Sequence, residues 1–161
     1  MKSPDAGRLA EAQFRKFPGH SMNWWLLPET PRTRYAYWLG ARGEPQRAAR
    51  LAAESLEDAQ KALAAGNQSP RVPLEIAAVH LLRSDPARAI DWLQRGYDAG
   101  WRNYRTLARD PVFDALHDEP KFQALLERTQ SDVATMRQRA MIDQMVPIPP
   151  PMRTAVAVER N

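Results

Sequence analysis

Cysteine is absent from this 161-residue sequence. That alone removes disulfide scaffolds, thiolate zinc sites and thiol nucleophiles. Histidine is nearly as scarce, and His20, His80 and His117 have no partner at i, i+4, so no helical metal pair can form. No Gly-x-Ser-x-Gly occurs, and Gly40-Ala-Arg-Gly43 is followed by neither Lys-Ser nor Lys-Thr, which leaves no phosphate cradle. No apolar run reaches the length of about 18 residues that a membrane helix needs. Residues 1–16 also lack the apolar centre of a signal peptide. These absences predict a soluble, cytoplasmic chain, or a fragment of a larger protein, with no membrane insertion, catalytic residue, metal or cofactor, and not an enzyme in its own right.

What is present is a composition 43% hydrophobic and 26% charged, sized for one ordinary domain that can bury a core. Fourteen prolines against seven glycines suggest many short elements or an unstructured end. The net charge is +4, with 23 basic and 19 acidic residues. Arg8, Arg15, Arg32, Arg42, Arg47, Arg71, Arg83, Arg95, Arg128 and Arg139 are scattered among the acids. Such interleaving reads as solvated charge, and a nucleic-acid patch is the weaker alternative.

Apolar spacing predicts helices almost throughout. Leu9, Ala12, Phe14 and Phe17 suggest a modest helix over 4–16, and Met22–Pro28 then forms a dense apolar connector containing Trp24 and Trp25. Thr30-Pro31 has the N-cap and first-turn residues of a helix running to about Arg42, with Tyr35, Trp38, Leu39 and Arg42 on one side. After the turn Gly43-Glu44-Pro45, an Ala-rich helix continues to Ala64, its expected buried stripe being Ala48, Leu51, Ala52, Leu56, Ala59 and Leu63. Leu74 to Gly100 reads as two further amphipathic helices joined at Ser84-Asp85-Pro86, with Asp85 as cap.

Gly43-Glu-Pro-Gln-Arg-Ala48 and Ser84-Asp-Pro-Ala-Arg-Ala89 align without a gap at an offset of 41 residues. The pair resembles the tetratricopeptide repeat, in which a small residue sits in the turn and an Ala lies early in the second helix. The resemblance covers about residues 30 to 100. It puts Ala36 and Ala77 on the small position of the first helix, Leu39 and His80 on its large one, Ala48 and Ala89 on the small position of the second, and Ala52 and Leu93 on its large one. The chain departs from the family in its longer spacing, in Arg32 and Pro73 at the first aromatic position, and in lacking the closing Pro. In this register His80 is expected to be a hydrogen-bonded core histidine.

From Leu107 to Leu126 the rhythm L-x-x-D-P-x-F-x-x-L-x-x-x-P-x-F-x-x-L-L is similar to the segment that closes many bacterial tetratricopeptide proteins. It would cap an end repeat whose apolar face otherwise meets water. Asp110 and Asp118 fit helix caps better than a carboxylate site with Asp114, and His117 beside Asp118 and Glu119 reads as a surface arrangement. A helix over 119 to about 142 should follow, and 143–161, containing Pro147-Ile-Pro-Pro-Pro-Met, reads as a Pro-rich disordered tail rather than a docking peptide.

The expected organisation is therefore an all-α chain: residues 1–29 as N-terminal helix and Trp-rich connector, 30–142 as a tetratricopeptide-like helical domain with its cap, then the tail. The resemblance implies a scaffold that binds a protein or peptide partner on a concave face of first helices, with Thr33, Tyr37 and Ala41 exposed there from one hairpin and Leu74, Ala78, Leu81 and Leu82 from the next. Four apolar residues on a groove require a cover. Either a partner supplies it, or Trp24 and Trp25 do. A regulatory or oligomerisation domain of a larger bacterial signalling or enzymatic protein is the alternative role.

Overall fold

A computed structural model describes residues 29–143 and, before them, Arg8, Glu11, Ala12 and Arg15. These four are helical, with Arg15 bonded to Glu11 at 2.6 Å, in keeping with the helix expected there. Trp24 and Trp25 lie outside the described residues, as do His20 and the Pro-rich tail.

The described chain is all-helical: α1 (Pro31–Ala41), α2 (Pro45–Ala64), α3 (Arg71–Leu82), α4 (Pro86–Asp98), α5 (Tyr104–Leu107), a 3-10 turn (Pro111–Leu116) and α6 (Pro120–Asp143). Five of these seven elements open on proline, so much of the proline content goes into helix starts, where the missing N–H costs nothing. Side-chain caps add to this. Thr30 accepts from the Thr33 amide, Asp85 from Arg88, and Asp110 from Val112. Asp118, expected as a cap, makes no such bond, because Glu119 is the residue next to Pro120 and its carbonyl takes the Phe122 amide at 3.0 Å. No helix among the described residues is long and apolar enough to cross a membrane.

α1–α2 and α3–α4 are hairpins whose turns match position for position at the 41-residue offset. Glu44 N bonds Leu39 O, and Asp85 N bonds His80 O, both at 3.0 Å. The residue before each amide is left-handed, Gly43 at φ 81° and Ser84 at φ 58°. α2 and α4 close in the same way, through Asn67 N to Ala62 O and Trp101 N to Gly96 O, with Gly66 and Gly100 at positive φ. All four ends are Schellman caps, in which backbone alone satisfies the last carbonyls.

Burial follows the register. Ala36, Ala77, Leu39, His80, Ala48, Ala89, Ala52 and Leu93 are all buried. On α2 the fully buried line is Ala48, Ala52, Ser55 and Ala59, while Leu51, Leu56 and Leu63 are only partly covered. Small side chains bring the neighbouring helices close, and the leucines flank the seam. α3 is the centre of the molecule, buried at eight consecutive positions from Pro73 to His80. Its Leu74, Ala77 and Ala78 join Ala89, Leu93, Tyr97, Phe113, Leu116 and Phe122 in one core, which the Leu107–Leu126 segment completes. A smaller cluster, Tyr35, Leu39 and Ala48, lies between α1 and α2, with Trp38 stacked on Tyr35 at 5.8 Å.

Candidate functional site

Residues of α1 point to a neighbour or to solvent according to a 3.6-residue period, and Tyr37, Gly40 and Ala41 fall on one side of its last turn. Leu81 and Leu82 end α3 beside them. Across from both, the 3-10 turn offers Pro111, Val112, Asp114 and Ala115. Together they line an open groove of about 390 Å³. Its walls are apolar except for Asp114 and the Tyr37 hydroxyl. Four of the seven residues expected on the concave face, Tyr37, Ala41, Leu81 and Leu82, therefore meet in one place, Ala41 exposed and the others partly buried.

Leu74 and Ala78 do not join them, and their expected exposure is corrected. Both are wholly buried. Gly96 of α4 sits so close that a Cβ there would meet Leu74 Cδ1 at 2.1 Å, and Ala78 is enclosed in the same core. Leu74 is covered within its own hairpin by α4, and Ala78 lies in the core that the closing segment completes. Thr33 is also corrected from exposed to fully buried.

Thr33 belongs to a polar cluster at the opposite end of α1. Glu75 of α3 accepts from Thr30 N at 2.5 Å, from Thr30 Oγ1 at 2.9 Å and from Thr33 Oγ1. Burial pushes the Glu75 carboxyl upward, while these bonds pull it back. Alongside, Arg34 donates from Nη1 to Asp110 Oδ1 at 2.8 Å and from Nη2 to Asp110 Oδ2, and Nη2 also faces Glu29 Oε1. Burial pushes the Glu29 carboxyl up to about 8; Arg34 opposes the shift, and Asp110 and Glu75 add to it. The Arg34–Asp110 pair joins residues 76 apart in the chain. It lies three residues before Tyr37 on α1 and one before Pro111, so it ties together two walls of the groove. No side-chain spacing in the sequence announces it.

His80 is buried, but its Nδ1 stands 3.7 Å from Asp85 Oδ2, too far for the hydrogen bond expected of it. Burial holds its imidazole below the usual range, against the pull of Asp85. His117 stacks on Phe122 at 6.0 Å, with Nε2 buried and unpartnered. Among the described residues no group of three or more His, Cys, Asp or Glu is placed to hold a metal.

Arginines cluster instead on aromatic rings. Arg102 and Arg128 lie 4.2 and 4.7 Å from the Tyr97 centroid, Arg95 lies 4.3 Å from Trp92, and Arg42 lies 4.6 Å from Trp38. Arg102 Nη1 also donates to the Tyr97 and Trp101 carbonyls. Among the described residues, one face of each of the Trp38, Trp92 and Tyr97 rings thus carries one of the chain's own guanidinium groups. Neither a protein-family model, a curated protein nor a solved structure matches the chain.

Proposed function

We propose that this chain is a tetratricopeptide-like interaction module that docks a segment of a partner protein in the groove between α1, α3 and the 3-10 turn. The carrying observation is the meeting of Tyr37, Leu81 and Leu82 on an open apolar surface formed by the first helix of each hairpin. The equivalent turns and the burial of the repeat positions support the family reading. Affinity would come chiefly from covering Leu81 and Leu82, and orientation from the Tyr37 ring, since a few well-packed anchors dominate such interfaces. A groove of this size accommodates a few side chains, not a whole domain.

The test is a selection of binders from a displayed random-peptide library on the full chain, followed by mapping of the bound peptide by NMR. Shifts should concentrate at Tyr37, Leu81, Leu82 and Ala115, and Leu81→Asp should weaken binding at least ~10-fold by placing a charge among the anchors. Peptides that map elsewhere, or that tolerate Leu81→Asp, would overturn the reading.

A further inference from the structure

Among the described residues the groove carries one formal charge, and no described cation pairs with it. Asp110, at the head of the same 3-10 turn, is fully engaged by Arg34 and by the Val112 amide. Asp114, four residues on, makes no side-chain hydrogen bond or ion pair with any described residue, although its side chain lines the groove among Leu81, Leu82 and Ala115. Some surface acids are paired, as in Asp58 with Arg32, Glu54 with Arg50 and Glu57 with Lys61, and others, such as Asp91, Asp118 and Glu127, have no described side-chain partner; what sets Asp114 apart is its place on the groove. A docked apolar segment would take water away from the Asp114 carboxylate. Without a cation of its own it would leave that exposed carboxylate partly desolvated and unpaired, which weakens binding.

We propose that the groove selects a partner segment in which two or three apolar side chains are flanked by a Lys or Arg that pairs with Asp114. This rests on the docking role above and adds the chemistry of the ligand. Apolar contact gives the affinity; the basic residue fixes the register of the segment and rejects acidic sequences. The occupant is a segment of another protein, because charge complementarity is the property the groove offers.

The experiment repeats the peptide selection on the full wild-type chain and on full-length Asp114→Lys. Asp114 is exposed, so the substitution should leave folding intact. Wild-type binders should share a Lys or Arg beside apolar residues and lose roughly 5- to 10-fold in affinity on Asp114→Lys. The Asp114→Lys chain should in turn select Asp or Glu at that place. Such an inversion cannot come from a merely structural effect. Binders that map to Tyr37, Leu81 and Leu82 but show no basic residue and no response to Asp114→Lys overturn this inference and leave the docking role standing. Absence of any binder that maps to the groove overturns both. A concentration-dependent dimer that masks the same resonances names a second copy as the occupant and also overturns the inference.

Discussion

The two hairpins use one backbone plan to solve different burial problems. At the 41-residue offset, Thr33 of α1 corresponds to Leu74 of α3, and both are wholly buried. Leu74 is packed against Gly96 in the large core; Thr33 is held by a hydrogen bond to Glu75. The next pair is equally telling. Arg34 and Glu75 are the corresponding charged residues, Arg34 reaching forward to the closing segment and Glu75 back to the start of α1. α3 has helices on both sides: it closes its seam with α4 through apolar atoms, and its Glu75 takes up the polar bonds from the start of α1. α1 stands at the edge of the described bundle, and fastens itself with polar bonds. Position in the stack, more than position in the repeat, decides which chemistry fills an equivalent site.

The largest test of this contrast is a pair of truncations. Leu74→Ala should cost about 3–4 kcal/mol in chemical denaturation, since α3 and α4 cannot collapse further around the space. Thr33→Ala should cost about 1–2 kcal/mol through one lost bond to a buried carboxylate. Equal losses would refute the claim that the two seams differ in kind.

Next in size is Asp110→Asn, which breaks the charge pair but keeps shape and capping capacity. A loss of about 1–2 kcal/mol is expected, because Arg34 exchanges a two-point carboxylate partner for a neutral amide and keeps only Glu29 as its acid. Hydrogen exchange should quicken in 111–116 more than in α4; uniform acceleration would show that Asp110 does not act locally.

Glu29 adds a pH test. Its folded-state value, about 8, lies above the ordinary 4.5, so the folded chain binds a proton more tightly than the unfolded one. This contribution is complete below about pH 4.5 and is lost as pH rises toward 8, at up to ~1.4 kcal/mol per pH unit for one proton. Glu75 is shifted in the same direction and contributes with the same sign. Glu29→Gln should flatten the decline in stability between pH 5 and 8, and an unchanged slope would remove Glu29 as its source.

The smallest effect compares the turns. Ser84→Gly should stabilise by about 0.5–1 kcal/mol by relieving a left-handed non-glycine residue, and Gly43→Ser should cost a similar amount. Opposite signs of similar size would show that the two turns are energetically as well as geometrically equivalent.

Local features were legible in the sequence. Thr30-Pro31, Gly43-Glu44-Pro45 and Ser84-Asp85-Pro86 mark helix ends through short-range sterics and capping, and they lie where the spacing places them. The register also put eight core positions inside. What failed were the outward positions. Thr33 is buried by Glu75 of the other hairpin, Leu74 by α4 within its own, and Ala78 in a core shared with a closing segment many residues away, so their burial depends on packing that a one-helix register does not describe. Tyr37, Leu81 and Leu82 were named as surface residues, but the other wall of their groove, from Pro111 to Ala115, comes from the closing segment, which periodicity cannot place beside α1. The Arg34–Asp110 pair was invisible for the same reason.

The four identical helix ends carry a further consequence. Glu44, Asn67, Asp85 and Trp101 have nothing in common as side chains, yet each donates the same backbone bond after a left-handed residue. A joint made of main chain asks for one residue that tolerates the left-handed region, glycine at three of the four ends, and almost nothing of the residue that follows it. Such joints let a bundle lengthen by whole hairpins, and they leave the outward side chains free to diverge toward whatever the surface must recognise.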